Sequence, residues 1–315
     1  MNILRLNEYL TPEEIKEFNQ KSNFLAFLEI VITWGWMAIA FLMVYYYPVV
    51  WTIIPALFII GGKQLGCAII MHDAGHDSLF RTKKLNDIFG NLFGAWPIFH
   101  NVSQYSPYHL KHHVNAGLHE DPDILLTRGY PTTRSSLMRK FTRDLTGITG
   151  IKAFFGLIMM HLGYLKYNLG NKIERSRPDN LAKNAAKYLS GPLLSNLLLF
   201  VFFYLIGAPY LYLLWIGAYL TTFQFSLRVR SMAEHSMVPD SEDPKRNSRT
   251  VYANPIEKVL FAPLHVNYHS EHHLAMSVPS YHLPALRKRL KEKDKLDYGL
   301  TEKGYWSIIT RAASK

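Results

Sequence analysis

The stretch from Tyr188 to Leu227 reads YLSGPLLSNLLLFVFFYLIGAPYLYLLWIGAYLTTFQFSL and contains no charged residue. It is long enough for two membrane-crossing helices of about 20 residues each. The Gly207–Pro209 sequence in its middle interrupts the apolar pattern and favours a turn. We therefore predict a helical hairpin with spans over about residues 188–207 and 209–228.

A second apolar region lies near the N-terminus. From Phe24 to Tyr47 the only charge is Glu29. A further apolar run covers residues 49–60, and beyond Gly61, Gly62 and Lys63 its helical pattern continues to His72. This pattern predicts a first hairpin with spans over about residues 24–47 and 49–70. Together the two regions predict an all-α integral membrane protein with four transmembrane helices in two hairpins.

The distribution of charge predicts the orientation of these spans. The chain holds 35 Lys and Arg against 24 Asp and Glu, yet the turns near residues 47–48 and 207–209 carry no Lys or Arg. The remaining segments are basic, so the positive-inside rule predicts that both termini and the long middle segment are cytoplasmic. This rule and contact with anionic lipids explain the excess positive charge, and we find no nucleic-acid-binding motif.

The same pattern divides the chain into three parts. We predict a cytoplasmic N-terminal helix over residues 1–23, begun by Thr11 with Glu14 three residues later, a membrane domain over 24–290, and a cytoplasmic C-terminal tail over 291–315. The N-terminus lacks the features of a cleavable signal peptide. Cys67 is the single cysteine, which excludes an internal disulfide and a CxxC metal site.

Eight histidines fall into three tight clusters. These clusters are called box one (MHDAGH, His72 and His76), box two (HLKHH, His109, His112 and His113) and box three (HSEHH, His269, His272 and His273). On a helix, positions i, i+3 and i+4 share one face, so each box is expected to direct its imidazoles to one place. Eight imidazoles exceed the roughly four ligands of one zinc ion, and they suit two metal ions with nitrogen-rich shells.

The order and spacing of the boxes around two hairpins resemble the three histidine boxes of the integral-membrane fatty acid desaturase superfamily. The flanking words NYHSEHHL and VPSYHLPAL are similar to those of the branch that acts on acyl lipids and acyl thioesters. The resemblance extends from about residue 24 to about residue 290. It is highly specific for the superfamily and weakly specific for reaction type and substrate.

The resemblance implies a diiron centre in a cytoplasmic helical domain, with O2 as co-substrate. It also implies one further histidine ligand between the second hairpin and box three, for which His235 is the best-placed candidate. A solvated loop histidine is the competing interpretation of His235. Some members hold a water with an Asn one turn earlier, where this chain has Ser231, and Asn267 is a possible substitute. The implied metal ligands are His72, His76, His109, His112, His113, His235, His269, His272 and His273.

Several functions share this core. The leading hypothesis is an O2-dependent fatty acid desaturase that acts on an acyl lipid or acyl thioester. The nearest alternative is a fatty acid, sphingolipid or carotenoid hydroxylase or ketolase of the same superfamily. A zinc-dependent membrane hydrolase is less favoured, because HDAGH lacks the glutamate of HExxH. A transporter is also less favoured, because transport sites lie near the bilayer midplane.

The chain contains no HPGG haem motif, so an external electron donor of ferredoxin, rubredoxin or cytochrome b5 type is implied. A chain of this length without a cytochrome b5 module favours the bacterial inner (plasma) membrane over the endoplasmic reticulum.

Carboxylate partners are expected close to the metal centre, and the isolated histidines are expected to lie away from it. Ligating histidines usually donate their second ring N–H to a carboxylate or carbonyl, and the candidate acceptors are Asp73, Asp77, Glu234 and Glu271. The isolated histidines are expected to be surface or interfacial residues, and these are His100, His119, His161 and His282. His265 is expected to have a structural role close to box three.

Overall fold

The computed structural model describes residues 6–170 and 173–315 of the chain. They form a mostly helical protein whose two long apolar helices pack side by side near the N-terminus. These are α2, Asn23–Tyr46, and α3, Val50–Gly75, and each is long and apolar enough to cross a membrane. Each covers about the 20 residues that a bilayer requires. They match the expected first hairpin, although α3 extends beyond residue 70 to carry box one.

The N-terminal segment differs from the single helix predicted over residues 1–23. A short 3-10 turn, Leu6–Glu8, precedes α1, Pro12–Phe18, and residues 1–5 of the prediction lie outside the described residues. Thr11 and Glu14 form the expected capping box, since the Thr11 hydroxyl accepts from the Glu14 amide while the Glu14 carboxylate accepts from the Thr11 amide. The predicted start of this helix is therefore confirmed, while the rest of the segment is broken.

The middle of the chain is a succession of shorter helices. A π-helical turn, Gly90–Ala95, and a 3-10 turn, Trp96–Ile98, lie between the first two of them. In chain order the helices are α4 (Lys83–Phe89), α5 (Val102–Asn115), α6 (Ile124–Thr127), α7 (Arg134–Leu145), α8 (Ile148–Leu162) and α9 (Leu181–Tyr188).

The second apolar region forms α10, Ser190–Leu205, and α11, Tyr210–Leu220, followed by α12, Thr222–His235. The helix expected over 209–228 is therefore divided at Thr221, whose hydroxyl donates to the Gly217 carbonyl. The break lies where the hairpins touch. A Cβ atom on Gly61 of α3 would lie 2.3 Å from the Thr222 hydroxyl oxygen, so only glycine permits this approach.

Between two and four segments of the described residues are long and apolar enough to cross a membrane. Besides α2 and α3, two bent helix pairs are long and apolar enough to cross when each pair is taken as one span. One pair is α7 with α8, bent by 63°, and the other is α9 with α10, bent by 46°. Apolar side chains that face outward from α8 and α10 fit contact with lipid, since soluble surfaces rarely carry large apolar patches.

The last part of the chain, from residue 249 onward, packs against α12. It contains β1 (Arg249–Tyr252), α13 (Pro255–Leu260), α14 (His269–Leu274), α15 (Leu283–Glu292), β2 (Leu300–Lys303) and α16 (Tyr305–Ala312), with 3-10 turns at Pro263–His265 and Ser280–His282. The strands pair in parallel, with Arg249 opposite Leu300. Residues 291–315, expected to form a tail, instead contribute Tyr305, Ile308 and Ala312 to a core shared with α12.

Candidate metal centre

The three boxes and His235 lie at helix ends that meet at one point. Box one occupies the C-terminal turn of α3, and box two occupies the second half of α5. Box three forms α14, and His235 is the last residue of α12. Helix α3 packs against both α5 and α12. Box three reaches the same point because the Ser270 amide donates to the Thr250 hydroxyl of β1.

The structure brings together all nine histidines that the sequence analysis named, in two adjacent groups. The first, called group A, contains His72, His76, His109, His113 and His272. The second, called group B, contains His112, His235, His269 and His273. Within each group, one ring nitrogen from every histidine lies within 4.8 Å of the others. Either group could hold a metal ion.

Each box was expected to direct all its imidazoles to one place, and boxes two and three do not. His109 and His113 belong to group A, whereas His112 lies in group B. Positions i and i+4 differ by about 40° around a helix, while i+3 and i+4 differ by about 100°. Within one box, the histidines at positions i and i+4 therefore join one group, and the histidine at position i+3 joins the other.

The ring nitrogens approach one another more closely than bare lone pairs favour. The Nε2 atoms of His235 and His269 are 2.7 Å apart, and those of His113 and His272 are 2.9 Å apart. Among the described residues, the Nε2 atoms of His72, His76 and His273 are buried without a hydrogen-bond partner. Buried polar atoms rarely lack partners, and a cation between these nitrogens would supply one. The donor set therefore fits metal ions that accept imidazole.

Burial lowers the pKa of eight of the nine imidazoles, whereas at His112 the effect of burial is outweighed by the hydrogen bond and charge of Asp121, which raise its pKa. At His273, burial lowers the pKa well below the usual range, and the nearby His113 lowers that pKa further. Burial likewise lowers the pKa of His235 to about 3. A neutral imidazole presents the lone pair that a metal ligand needs.

Acceptors behind the histidines fix ring orientation. The Nδ1 atom of His72 lies 2.7 Å from an Asp73 carboxylate oxygen, as the sequence analysis expected. Glu234 lies 3.4 Å from Nδ1 of His269 without forming a hydrogen bond to it, and accepts from Arg230 at 2.6 Å. Such partners set the tautomer and the direction of the ring.

Two of the proposed acceptors lie elsewhere. Asp77 pairs with Lys83 at the surface, 3.4 Å away. Glu271 is buried in an ion pair with Arg287 and accepts from the Thr250 hydroxyl at 2.5 Å. Glu271 thus secures box three to β1 rather than orienting a ligand. It follows His269 by two positions, about 200° around the helix, and therefore points away from that histidine.

Two acceptors were not identified from the sequence. The Nδ1 atom of His112 lies 2.8 Å from an Asp121 carboxylate oxygen, and Nδ1 of His235 lies 2.8 Å from the Asn247 carbonyl oxygen. Asp121 belongs to the Asp-Pro-Asp loop directly after box two, so an acidic turn there was the available signal. The Asn247 carbonyl carries no sequence signal, because any residue at that position supplies the same atom.

The isolated histidines stay outside both groups. His119 is exposed, as expected, but His100 and His161 are buried rather than on the surface. The His161 ring contacts the Gln104 side-chain oxygen at 2.5 Å and the Phe99 carbonyl at 2.7 Å. It therefore joins α8 to α5 in the core, which is a structural role.

The two candidate water-holding residues are engaged elsewhere or lack a partner. The Ser231 hydroxyl donates to the Leu227 carbonyl at 2.9 Å, inside its own helix. The Asn267 side-chain amide donates to Val251 at 2.8 Å, while its oxygen is buried without a partner among the described residues.

A cavity of about 250 Å³ runs along one side of the centre. Its inner wall is apolar and includes Ala68 of α3 and Leu157 of α8. One histidine of group A, His109, also lines it. The members of group B that line it are His112, His235 and His269. Such a shape suits an apolar chain held beside polar groups.

Long apolar helices that lead into a buried polyhistidine centre define a class of membrane metalloproteins. The chain belongs to the fatty acid desaturase family, because the family model matches residues 48–306. This match confirms the resemblance identified from the histidine boxes, and the protein is therefore an oxidoreductase.

Curated relatives agree with this membership at low identity. The chain is 28% identical over 250 residues to the dihydrorhizobitoxine desaturase of Bradyrhizobium elkanii, covering 76% of this chain and 68% of the relative. It is 25% identical over 290 residues to the sn-1 oleoyl-lipid 12-desaturase of Synechocystis sp., covering 88% of this chain and 79% of the relative. Their names share the desaturase reaction and differ in substrate.

Proposed function

We propose that this protein is a membrane-bound, O2-dependent desaturase that introduces a C=C double bond into an acyl chain with electrons from an external donor. The observation that carries this proposal is the apolar cavity whose wall includes His109 and His112. A chain in this cavity lies against histidines of both groups. The names of the relatives, one of which acts on oleoyl lipid, support the same chemistry.

Two iron ions would be held by the five histidines of group A and the four of group B. When bound, they would supply the reduction of O2 and the oxidation of an unactivated CH2 group. The protein has a different part in the reaction. Asp73 and Asp121 keep the rings of His72 and His112 aimed inward. The flat face of Tyr105 stacks on His109 with centroids 5.2 Å apart, which restrains that ring from the cavity side.

The side chains of the cavity wall would hold the acyl chain. Leu157, Tyr219 and Phe223 surround the space with apolar atoms, so a methylene chain replaces water there with a gain from the hydrophobic effect. Holding one carbon pair close to the histidines, with water excluded, favours removal of two vicinal hydrogens over side reactions.

The proposed function also implies the membrane topology of the protein and the membrane in which it resides. We infer four membrane spans with both histidine groups on the cytoplasmic side, where an external donor of ferredoxin, rubredoxin or cytochrome b5 type can reach them. The basic cytoplasmic surface would attract an acidic donor. The bacterial plasma membrane is the proposed site of residence.

The deciding experiment has two measurements. The protein is expressed in a host with simple lipids, and the fatty acids are profiled for new double bonds. The purified protein is then analysed for metal, with about two iron ions per chain expected. His112→Ala and His272→Ala should abolish the new product while the protein still inserts into the membrane, whereas exposed His119→Ala should not.

Other results identify other functions. A hydroxylated product in place of an alkene would assign the protein to the hydroxylases of the family. Stoichiometric zinc with hydrolase activity would overturn the proposal. Full activity in a well-expressed His112→Ala variant would also overturn it.

A further inference from the structure

The cavity beside the histidines opens at a mouth lined by hydrogen-bond donors and positive charge. The mouth is formed by Arg128, Tyr130 and Lys140, together with the exposed side chain of Leu125. These residues come from the end of α6, the loop that follows it, and α7. The inner end is lined by apolar side chains, by the histidines and by the paired Arg230 and Glu234, so the two ends of the cavity differ chemically.

The positive charge at the mouth is not compensated within the described part of the chain. The Lys140 ammonium lies 4.2 Å from the centre of the Tyr130 ring, and neither Lys140 nor Arg128 forms an ion pair with any residue of 6–170 or 173–315. The cation–π contact holds Lys140 over the ring and still leaves its N–H donors available.

The neighbouring charges are already paired. Arg228, which also lines the cavity, donates to the buried Asp144 carboxylate through Nε at 2.5 Å and through a terminal nitrogen at 2.9 Å. Deeper inside, Arg230 donates to Glu234. Asp123, the remaining carboxylate in the wall, accepts from the Tyr108 hydroxyl beside His112. None of these acids reaches the mouth to neutralise it.

A third feature points to a missing acceptor. The Tyr130 hydroxyl is buried and lies beside Arg228, which is a donor only. Arg228 can donate only to the hydroxyl oxygen, and among the residues that the structure describes no acceptor takes the hydroxyl hydrogen. A buried hydroxyl whose hydrogen lacks an acceptor, on the residue whose ring Lys140 contacts, is a site for an anionic oxygen.

We propose that this mouth binds the anionic head, a carboxylate or a phosphate monoester, of the amphiphile whose chain runs past the histidines. The inference rests on the proposed function and narrows its substrate class. Lys140 and Arg128 provide the charge, and the Tyr130 hydroxyl donates to a head oxygen. Neutral glycerolipids and esters lack the charge that these groups complement.

The test measures binding alone, on full-length protein in a neutral detergent, and needs no turnover. Tritiated palmitate is bound to immobilised protein, and unlabelled palmitate, hexadecyl phosphate and methyl palmitate compete with it. Palmitate or hexadecyl phosphate should compete at least about tenfold better than methyl palmitate, since a hydrogen bond to a charged group is worth about tenfold or more. The better of the two anions identifies the source of the head group.

Matched variants assign the effect to the mouth. Lys140→Ala with Arg128→Ala should weaken palmitate binding by about tenfold to a hundredfold, and Tyr130→Phe by about tenfold. The control pair, Arg143→Ala with Lys152→Ala, removes the same charge from exposed positions of α7 and α8 outside the cavity wall. It should bind palmitate as the unchanged protein does.

Three outcomes would overturn the inference. The first is equal competition by methyl palmitate, and the second is equal binding by the mouth pair and the control pair. The third is palmitate binding that survives Leu157→Trp, which fills the inner cavity, since palmitate would then lie elsewhere. Failure of the proposed function would instead appear as missing iron and an unchanged fatty acid profile, which are separate measurements.

Discussion

The Nε2 atoms of His235 and His269 lie 2.7 Å apart, although the two residues end one helix and begin another 34 positions later in the chain. His235 belongs to no box, yet Nδ1 is oriented by the Asn247 carbonyl, in the way expected of a metal ligand. The competing interpretation of a solvated loop histidine does not fit its position between His112, His269 and His273.

We therefore predict that His235→Ala loses iron and activity as completely as a box variant, because group B would keep only three histidines. Iron content by mass spectrometry and product formation by gas chromatography measure both losses. His119→Ala removes an exposed histidine and serves as the control. Retention of two iron ions per chain in His235→Ala would exclude its role as a ligand.

The carboxylate of Asp121 is predicted to orient His112. Asp121→Asn keeps the size of the side chain and removes its charge, so iron affinity and activity should fall by about 10- to 100-fold. Glu120→Gln removes a charge from the exposed neighbour and should leave both unchanged. An iron titration of the metal-free protein separates the two variants. Equal affinities would show that Asp121 only shapes its loop.

Asp144 is predicted to be a major contributor to stability. It is fully buried and pairs with Arg228, whose side chain is 23% exposed, so that α7 is fastened to α12. Asp144→Ala leaves the arginine without its partner and should lower the free energy of unfolding by about 3 kcal/mol, the lower end for a buried pair, because part of Arg228 reaches solvent. Thermal melting in detergent measures the change. The exposed Asp179→Ala variant should melt like the unchanged protein.

The four-span topology predicts the accessibility of introduced cysteines. In a Cys67→Ser background, cysteines at exposed Ser135 and Ser241 should react with an impermeant thiol reagent from the cytoplasmic side only. A cysteine at Tyr47, in the turn between α2 and α3, should react from the opposite side only. If Ser135 and Ser241 report opposite sides, the bent pair of α7 and α8 crosses the membrane, and the four-span prediction is wrong.

An anchored head group predicts how the enzyme selects carbons. If Lys140 and Tyr130 hold the head at the mouth, the histidines meet the chain at a fixed distance from that head. Substrates of about 14, 16 and 18 carbons, whose extended chains differ in length by at most about one helical turn, should then gain a double bond at the same position counted from the head. Mass spectrometry of derivatised products gives the position. A double bond at a constant position counted from the methyl end would contradict the proposal that the head group is anchored at the mouth.

The sequence alone determined the features that depend on local chemistry. Apolar runs identified the helices that begin near Phe24 and Val50, because a bilayer requires about 20 apolar residues in succession. Helical spacing identified the eight box histidines, and the Thr11 capping box identified the start of α1. The resemblance to a family added His235. Apart from His235, each of these depends on residues that lie close together in the chain.

Only the tertiary structure decided how the histidines are shared and what surrounds them. His112 and His113 are adjacent in sequence and enter different groups, because successive helical residues point about 100° apart and each group draws on several helices. The partnership of His112 with Asp121 and the mouth formed by Tyr130 and Lys140 depend on how loops fold back onto helices. Packing between distant segments sets these contacts, and no spacing within the sequence encodes them.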